Sequence, residues 1–428
     1  MNRWRQLTRN RLLDIGVFTV ALIIVFQTAR MLPTRIHEDD FAYFYLPSKM
    51  LLQGENPYST SLSAAGQPYG FATSERIRTG TNPPLLLWLF APLARLRIET
   101  AFYAWFGVEL ASLCGVLWLT RHLLGSRFSP RGWRLFYAGV LCMRPLYRHF
   151  EYSQAQLVIA LMVLAAFAWH RAGKYSAACL SITMAGLLKL FPIVLLPWFI
   201  WRSGGDVIRK ICRTIAVCVV IMVTIWLTNV ALWHEFLTRG MKVITAAAIN
   251  HTFNCSLPSL VINLGQQAFG FSISSPAGRA WCALGTILGL AAIGACYLLC
   301  FAKVHDPMAE FCLLNAAMLL AGVVCWGHYL VILVFPVAVA IAWVLREPTG
   351  RRLLFLGITI LLLNSVDLGA NPGLGSYPAL RLWANYAPLG GMCTLIALVV
   401  AESGQTGWRA FFAEPPPPTA IDEEPCGE

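Results

Sequence analysis

Apolar runs of about twenty residues recur along nearly the whole chain, the length at which a helix crosses the hydrocarbon core of a bilayer. In lipid every backbone N–H and C=O must be bonded within the protein, which leaves helices or a closed barrel. Barrel strands alternate apolar and polar residues with period two, and no such alternation is present. The chain therefore reads as an all-α, polytopic membrane protein. Its charge content agrees: 13% of the 428 residues are charged and 57% hydrophobic, whereas a soluble domain carries about 25% charged residues.

The first run, Leu12 to Leu32, follows Arg3, Arg5, Arg9 and Arg11. It is too long for a removable signal peptide and has no small-residue cleavage site, so it is expected to remain as the first span. A net charge of +12 would suit nucleic acid, but the basic residues stand singly or in small groups between apolar runs, as membrane topology requires. Nucleic acid is thus not an expected partner. Most of the 13 cysteines lie inside apolar runs, where cysteine acts as a small hydrophobe, and no CxxC pair appears.

The arginine-rich start places the N-terminus in the cytoplasm and residues 33–83 outside as a long first loop. Arg121, Arg127, Arg131 and Arg134 mark the next cytoplasmic turn, and Arg171 and Lys174 the one after. The block Ala177 to Trp201 then ends at Arg202, Arg209, Lys210 and Arg213, which also belong inside. Parity is kept if two short helices meet near Lys189 and Pro192, as broken helices do where they line a cavity. A second external stretch covers 231–280, and the whole makes about twelve crossings including broken or short ones. Residues 1–405 form the membrane domain. Residues 406–428, with four consecutive prolines before an acidic end, are expected to be a disordered cytoplasmic tail.

The polar residues hardest to explain in such a chain gather on the external side. His37-Glu38-Asp39-Asp40 opens the first loop, and adjacent acids repel, which suits one of them to accepting a proton. Phe41, Tyr43 and Tyr45 follow, equally readable as interfacial aromatics. Gly54-Glu55-Asn56-Pro57-Tyr58 and Thr81-Asn82-Pro83-Pro84 read as turns ahead of an apolar segment too short to span. Arg144 and Arg148 can clamp a phosphate, or else snorkel, and Gln154 and Gln156 of Ser153-Gln154-Ala155-Gln156 can bond hydroxyls. Lys189 is the sharpest signal, because an ammonium in an apolar segment costs about 2.5–3.5 kcal/mol to insert and marks function. His328 begins a span at its external end and can hold a phosphate or a sugar hydroxyl. Asn254-Cys255-Ser256, Asp367 and Asn371 are weaker candidates. HExxH and CxxC metal motifs, a Walker A loop and a nucleophile elbow are all missing from the sequence, so neither an ATP-driven pump nor a transferase using a cytosolic nucleotide sugar is expected.

The order of these pieces resembles the polyprenyl-phosphate-dependent glycosyltransferases of family 87, which have the membrane-embedded GT-C fold. The resemblance rests on Asp40-Phe41 with Tyr45, Gly54 to Tyr58, Pro83-Pro84 through Pro92, Gln154-Ala155-Gln156-Leu157, Leu188-Lys189-Leu190-Phe191-Pro192, Asn254-Cys255-Ser256-Leu257 and His328. It implies a GT-C fold and transfer of a hexose or pentose, mannose first, from a polyprenyl-phosphate sugar to a glycolipid or glycan acceptor, with inversion. Asp40 matches the family's general base, and the neighbouring Asp39 leaves open which aspartate acts. Asp39, Tyr45, Arg144, Arg148, Gln154, Gln156, Lys189, Asn254 and His328 are the expected substrate-binding residues. No metal and no cofactor beyond the donor lipid are expected, since the donor already carries a phosphate leaving group. The partners are the donor, the acceptor and membrane lipids. Two rivals remain: another GT-C type acting on protein or lipid A, which also begins with an acidic pair, and a lipid-linked sugar flippase in which Lys189 binds phosphate.

Overall fold

The computed structural model describes residues 2–36, 39–71, 79–249, 251, 253–366, 368, 373, 377–404 and 408. Among them there is no strand. Nineteen α-helices follow one another: α1 (Asn2–Met31), α2 (Asp39–Leu52), α3 (Leu62–Gly66), α4 (Pro84–Ala94), α5 (Ile98–Leu124), α6 (Pro130–Leu141) and α7 (Arg144–Glu151). The chain continues through α8 (Gln156–Arg171), α9 (Tyr175–Leu188), α10 (Leu196–Trp201), α11 (Val207–Leu227), α12 (Val230–Glu235) and α13 (Met241–Ala248). It ends with α14 (Leu257–Phe269), α15 (Pro276–Leu299), α16 (Pro307–Ala321), α17 (Val334–Arg346), α18 (Gly350–Leu363) and α19 (Pro378–Ser403). Local chemistry sets several starts: at Ser129-Pro130, Ser275-Pro276 and Asp306-Pro307 a side chain caps the helix and proline occupies its first position.

Among the described residues six helical segments are long and apolar enough to cross a membrane: Asp14–Arg35, Ile98–Arg127, Val207–Leu227, Pro276–Val304, Gly327–Arg346 and Ala379–Ser403. Five shorter apolar helices accompany them. Burial sorts these helices by position. In α16 every residue from Met308 to Ala321 is buried, and α17 buries all but Ile341 between Val334 and Val344, so this pair forms the centre. α11 buries only Val217 and leaves Met222, Trp226 and Leu227 about two-thirds or more exposed. A belt of that kind would be insoluble in water and is what a lipid-facing surface needs. The protein is embedded in a membrane.

The break expected near Lys189 is present. α9 stops at Leu188, Lys189 is extended, and a 3-10 turn over Phe191–Leu195 leads into α10. The second piece folds back on the first, with Ile193 packed where a Gly186 Cβ would stand. Its far end is fixed by Glu310 of α16, a fully buried carboxylate that accepts from Trp198 Nε1 at 2.7 Å and from Arg202 Nε at 2.8 Å.

Residues 33–83 and 231–280, read from sequence as loops, are largely helical: α2 and α3 lie in the first, α12 to α14 in the second. These helices are short, and their apolar residues are mixed with turn formers such as Pro47, so no spanning signal betrays them. Most of the expected tail lies outside the described residues. Trp408 is an exception: it is buried against Trp343, and its Nε1 donates to Asp306 Oδ2 at 3.0 Å.

Candidate functional site

Asp40 stands in the first turn of α2, where the unpaired N–H groups of a helix favour a carboxylate. Its Oδ1 accepts a hydrogen bond from Gln154 Nε2 at 3.0 Å. Gln154 reaches it because the chain between α7 and α8 turns sharply at Ser153, whose φ is 44°. The Ser153 carbonyl is pinned by Trp105 Nε1 at 3.0 Å, and the Gln154 N–H is bound to the His149 carbonyl at 3.4 Å. Behind this turn His149 faces Glu109 of α5, with Nε2 and Oε1 3.4 Å apart and both side chains wholly buried. Burial pulls the His149 imidazole down to about 3, so it is neutral.

Lys189, freed by the end of α9, donates from Nζ to Asn82 Oδ1 at 2.8 Å and lies 5.6 Å from the centre of the Phe44 ring. Phe44 is one helical turn beyond Asp40 on α2, which puts both on one face, and the Asp40 carboxylate acts electrostatically on Lys189. Asn82 is itself held on two sides. Its Nδ2 donates to the Tyr43 carbonyl at 3.0 Å, and its own carbonyl accepts from the Tyr58 hydroxyl at 2.6 Å.

His328 is buried between the rings of Tyr152, at 5.5 Å, and Tyr329, at 5.1 Å. It feels the charges of Lys189 and Arg148, and Tyr329 that of Asp40, so the His328 turn belongs to the same group. The position before it must be glycine, because a Cβ on Gly327 would meet Val366 Cγ1 at 2.0 Å. Gln156 is fully buried with its carboxamide facing the Tyr329 hydroxyl, and neither amide atom has a hydrogen bond of ordinary geometry.

Three arginines stand beside this group. Glu151 pairs with Arg148 and with Arg35, the latter at 2.6 Å, so one carboxylate brings two guanidiniums together. The Arg144 guanidinium covers the Tyr147 ring at 4.8 Å, and the Arg144 backbone N–H donates to Asn364 Oδ1 at 3.0 Å. From Asn364 an apolar slot of about 300 Å³ runs between α6, α17 and α18, lined by Met143, Phe136, Phe128, Ile341 and Leu363.

Asp40, Gln154, Gln156, Lys189, His328 and Arg148 are therefore drawn together, with Arg144 at the edge. Two expected residues are placed elsewhere. The Tyr45 hydroxyl is spent on the Leu96 carbonyl at 2.9 Å, because five residues on from Asp40 a helical side chain points to the other side. Asn254 is a structural clamp: its Nδ2 donates to the Ala248 and Val323 carbonyls, each at 3.0 Å, and its Oδ1 accepts from the Cys325 N–H at 2.9 Å. It ties the second inter-span stretch to the segment that carries His328. The Asp39 side chain and residues His37, Glu38, Asp367 and Asn371 lie outside the described set. Sequence reading assigned Asn82 to a turn and passed over Arg35, Glu109 and Tyr329. An Asn before two prolines does read as a turn, and nothing local announces a partner 107 positions away.

The site thus sets Lys189 and a carboxylate beside arginines and an apolar slot inside a membrane protein, and the sequence comparisons give the family. The family model of glycosyltransferase family 87 matches residues 81–325. The chain belongs to glycosyltransferase family 87. The match includes Asn82, Gln154 and Lys189, while Asp40 and His328 flank it. A curated relative is the polyprenol-phosphate-mannose-dependent alpha-(1-2)-phosphatidylinositol pentamannoside mannosyltransferase of Mycolicibacterium smegmatis (strain ATCC 700084 / mc(2)155). It is 24% identical over 339 residues, covering 77% of this chain and 76% of the relative. No solved structure matches. This family 87 protein is a membrane glycosyltransferase.

Proposed function

We propose that the enzyme transfers mannose from a polyprenyl-phosphate donor to a glycolipid acceptor on the non-cytoplasmic face of the membrane, within a GT-C fold. The observation that carries this reading is the Asp40 carboxylate held by Gln154 at 3.0 Å in the field of Lys189. The M. smegmatis relative is polyprenol-phosphate-mannose-dependent, which supports the donor class.

Asp40 takes the proton of the acceptor hydroxyl as that oxygen attacks the anomeric carbon. The bond from that carbon to the phosphate oxygen breaks, and polyprenyl phosphate departs with the electron pair. One displacement inverts the anomeric centre. Negative charge grows on the departing phosphate, and Lys189, Arg148 and Arg144 stabilise it from groups already in place. His328 borders the same space and offers a hydrogen bond. The donor's phosphodiester supplies the leaving group, so the proposed reaction calls on no further cofactor. The apolar slot that starts at Asn364 fits the first isoprene units, since Asn364 at its end accepts from the backbone N–H of Arg144.

The test is to incubate the purified chain with radiolabelled polyprenyl-phosphate mannose and a total membrane-lipid extract. A labelled glycolipid with inverted anomeric configuration is expected. Label that stays on the donor, while reconstituted vesicles translocate the donor, would replace transfer with transport.

A further inference from the structure

A second cleft, separate from the Asp40 group, opens between α13 and the α14–α15 hairpin, with a volume of about 350 Å³. Its walls are Leu237, Met241, Ala246, Ile249, Ile273 and Cys282, with Thr245 among them, and two basic residues, Lys242 and Arg279, stand at it. Both are exposed. Arg279 is fixed by a bond from Nη1 to the Ser274 carbonyl at 2.7 Å and lies in the first turn of the spanning segment Pro276–Val304. The cations therefore sit where that helix meets the membrane boundary.

The cleft is joined to the candidate site through its wall. Leu237 belongs to a π-turn over Phe236–Gly240, and Met241 follows it directly. Single π-turns are rare in helices and are frequent at functional sites. Here the turn packs Gly240 so closely that a Cβ would lie 3.0 Å from the Gly80 carbonyl and 3.3 Å from the Tyr58 ring. Gly80 is two residues before Asn82, and Tyr58 is bound to the Asn82 carbonyl. Asn82 in turn holds Lys189.

We propose that this cleft holds an anionic phospholipid, the membrane anchor of the acceptor, with its phosphodiester between Lys242 and Arg279 and its chains along the Leu237–Met241–Ile249 wall. Charge complementarity supports this occupant: two cations at the edge of an apolar trough match a headgroup with one negative phosphodiester and apolar tails. Assigning the lipid to the acceptor rests on the proposed transfer reaction; the binding itself does not.

The experiment uses the full chain in detergent, with phosphatidylglycerol as the anionic probe, phosphatidylcholine as the neutral one, and inorganic phosphate as the headgroup charge alone. Lipid retention is read by native mass spectrometry. Wild type is expected to retain phosphatidylglycerol over phosphatidylcholine, and Lys242→Gln with Arg279→Gln to weaken it about thirtyfold with unchanged thermal stability. Thr245→Trp, which fills the cleft without touching its charge, is expected to expel the lipid as well. Equal phosphatidylglycerol binding in wild type and either variant overturns the proposal, as does displacement of the lipid by millimolar inorganic phosphate. A chain that binds the lipid as stated yet transfers no sugar would refute the transfer reading and leave the cleft assignment standing.

Discussion

Replacing Lys189 with methionine removes one charge while keeping a chain of similar length and apolar stem. In the proposed reaction that charge faces the phosphate as it leaves, and losing one preorganised partner of a developing anion costs about 2.7–4 kcal/mol, or about 10²–10³ in kcat. The stability loss stays below about 3 kcal/mol, because relief of the desolvated ammonium offsets part of the cost of leaving the buried Asn82 Oδ1 without its donor. Asn82→Ala tests the same contact from the other side. It leaves the charge but removes the acceptor 2.8 Å from Nζ, and a hydrogen bond to a charged group is worth about 1.5–3 kcal/mol, hence about ten- to 150-fold. Since both substitutions act through one contact, the double variant should be about as slow as Lys189→Met alone. The assay is mannose transfer at saturating polyprenyl-phosphate donor, with thermal unfolding followed by tryptophan fluorescence on the same preparations. Lys189→Met with kcat within about twofold of wild type would show that Lys189 does not face the reacting phosphate. Full additivity in the cycle would show that Asn82 does not orient it.

Three further substitutions separate chemistry from architecture. Gln154→Leu removes the 3.0 Å bond to Asp40 and should lower kcat by about ten- to 150-fold with little change in donor KM, measured by initial rates. Asn254→Ala leaves the Cys325 N–H without its acceptor and takes one donor each from the Ala248 and Val323 carbonyls; at about 1–3 kcal/mol for a buried unsatisfied group it should depress the unfolding temperature, whereas a substrate ligand would lower activity and leave stability alone. Arg202→Met leaves the Glu310 carboxylate, fully buried, without its cation and should cost about 3–5 kcal/mol of stability, read from the fluorescence melt.

Sequence patterning announces some of this molecule and hides the rest for identifiable reasons. Membrane residence and helical class follow from apolar run length, because bilayer thickness and backbone satisfaction admit few alternatives. The break at Lys189 is legible too, since basic residues on both flanks leave an even number of crossings between them. The helices α2, α13 and α14 escape notice because helices that lie beside the spans carry no length signal. In the site, Asp40, Gln154, Lys189 and His328 stand out as polar residues that an apolar chain would otherwise avoid. Their support does not. Asn82 looks like a turn residue until Lys189 is folded onto it, and Arg35 joins Arg148 through Glu151, 116 positions away. Tyr45 shows the reverse: near Asp40 in sequence, it is turned from it by the helical period.

The central claim, that the carboxylate held by Gln154 is the general base of a lipid-phosphate sugar transfer, is tested most directly by one comparison. Wild type and Asp40→Asn are purified side by side, shown to melt alike, and assayed for transfer of radiolabelled mannose from polyprenyl phosphate. Asparagine keeps the shape and can still meet the Gln154 amide but cannot take a proton, so kcat should fall by at least about 10²-fold with donor binding retained. Equal rates in the two proteins would contradict the assignment of Asp40 as the base.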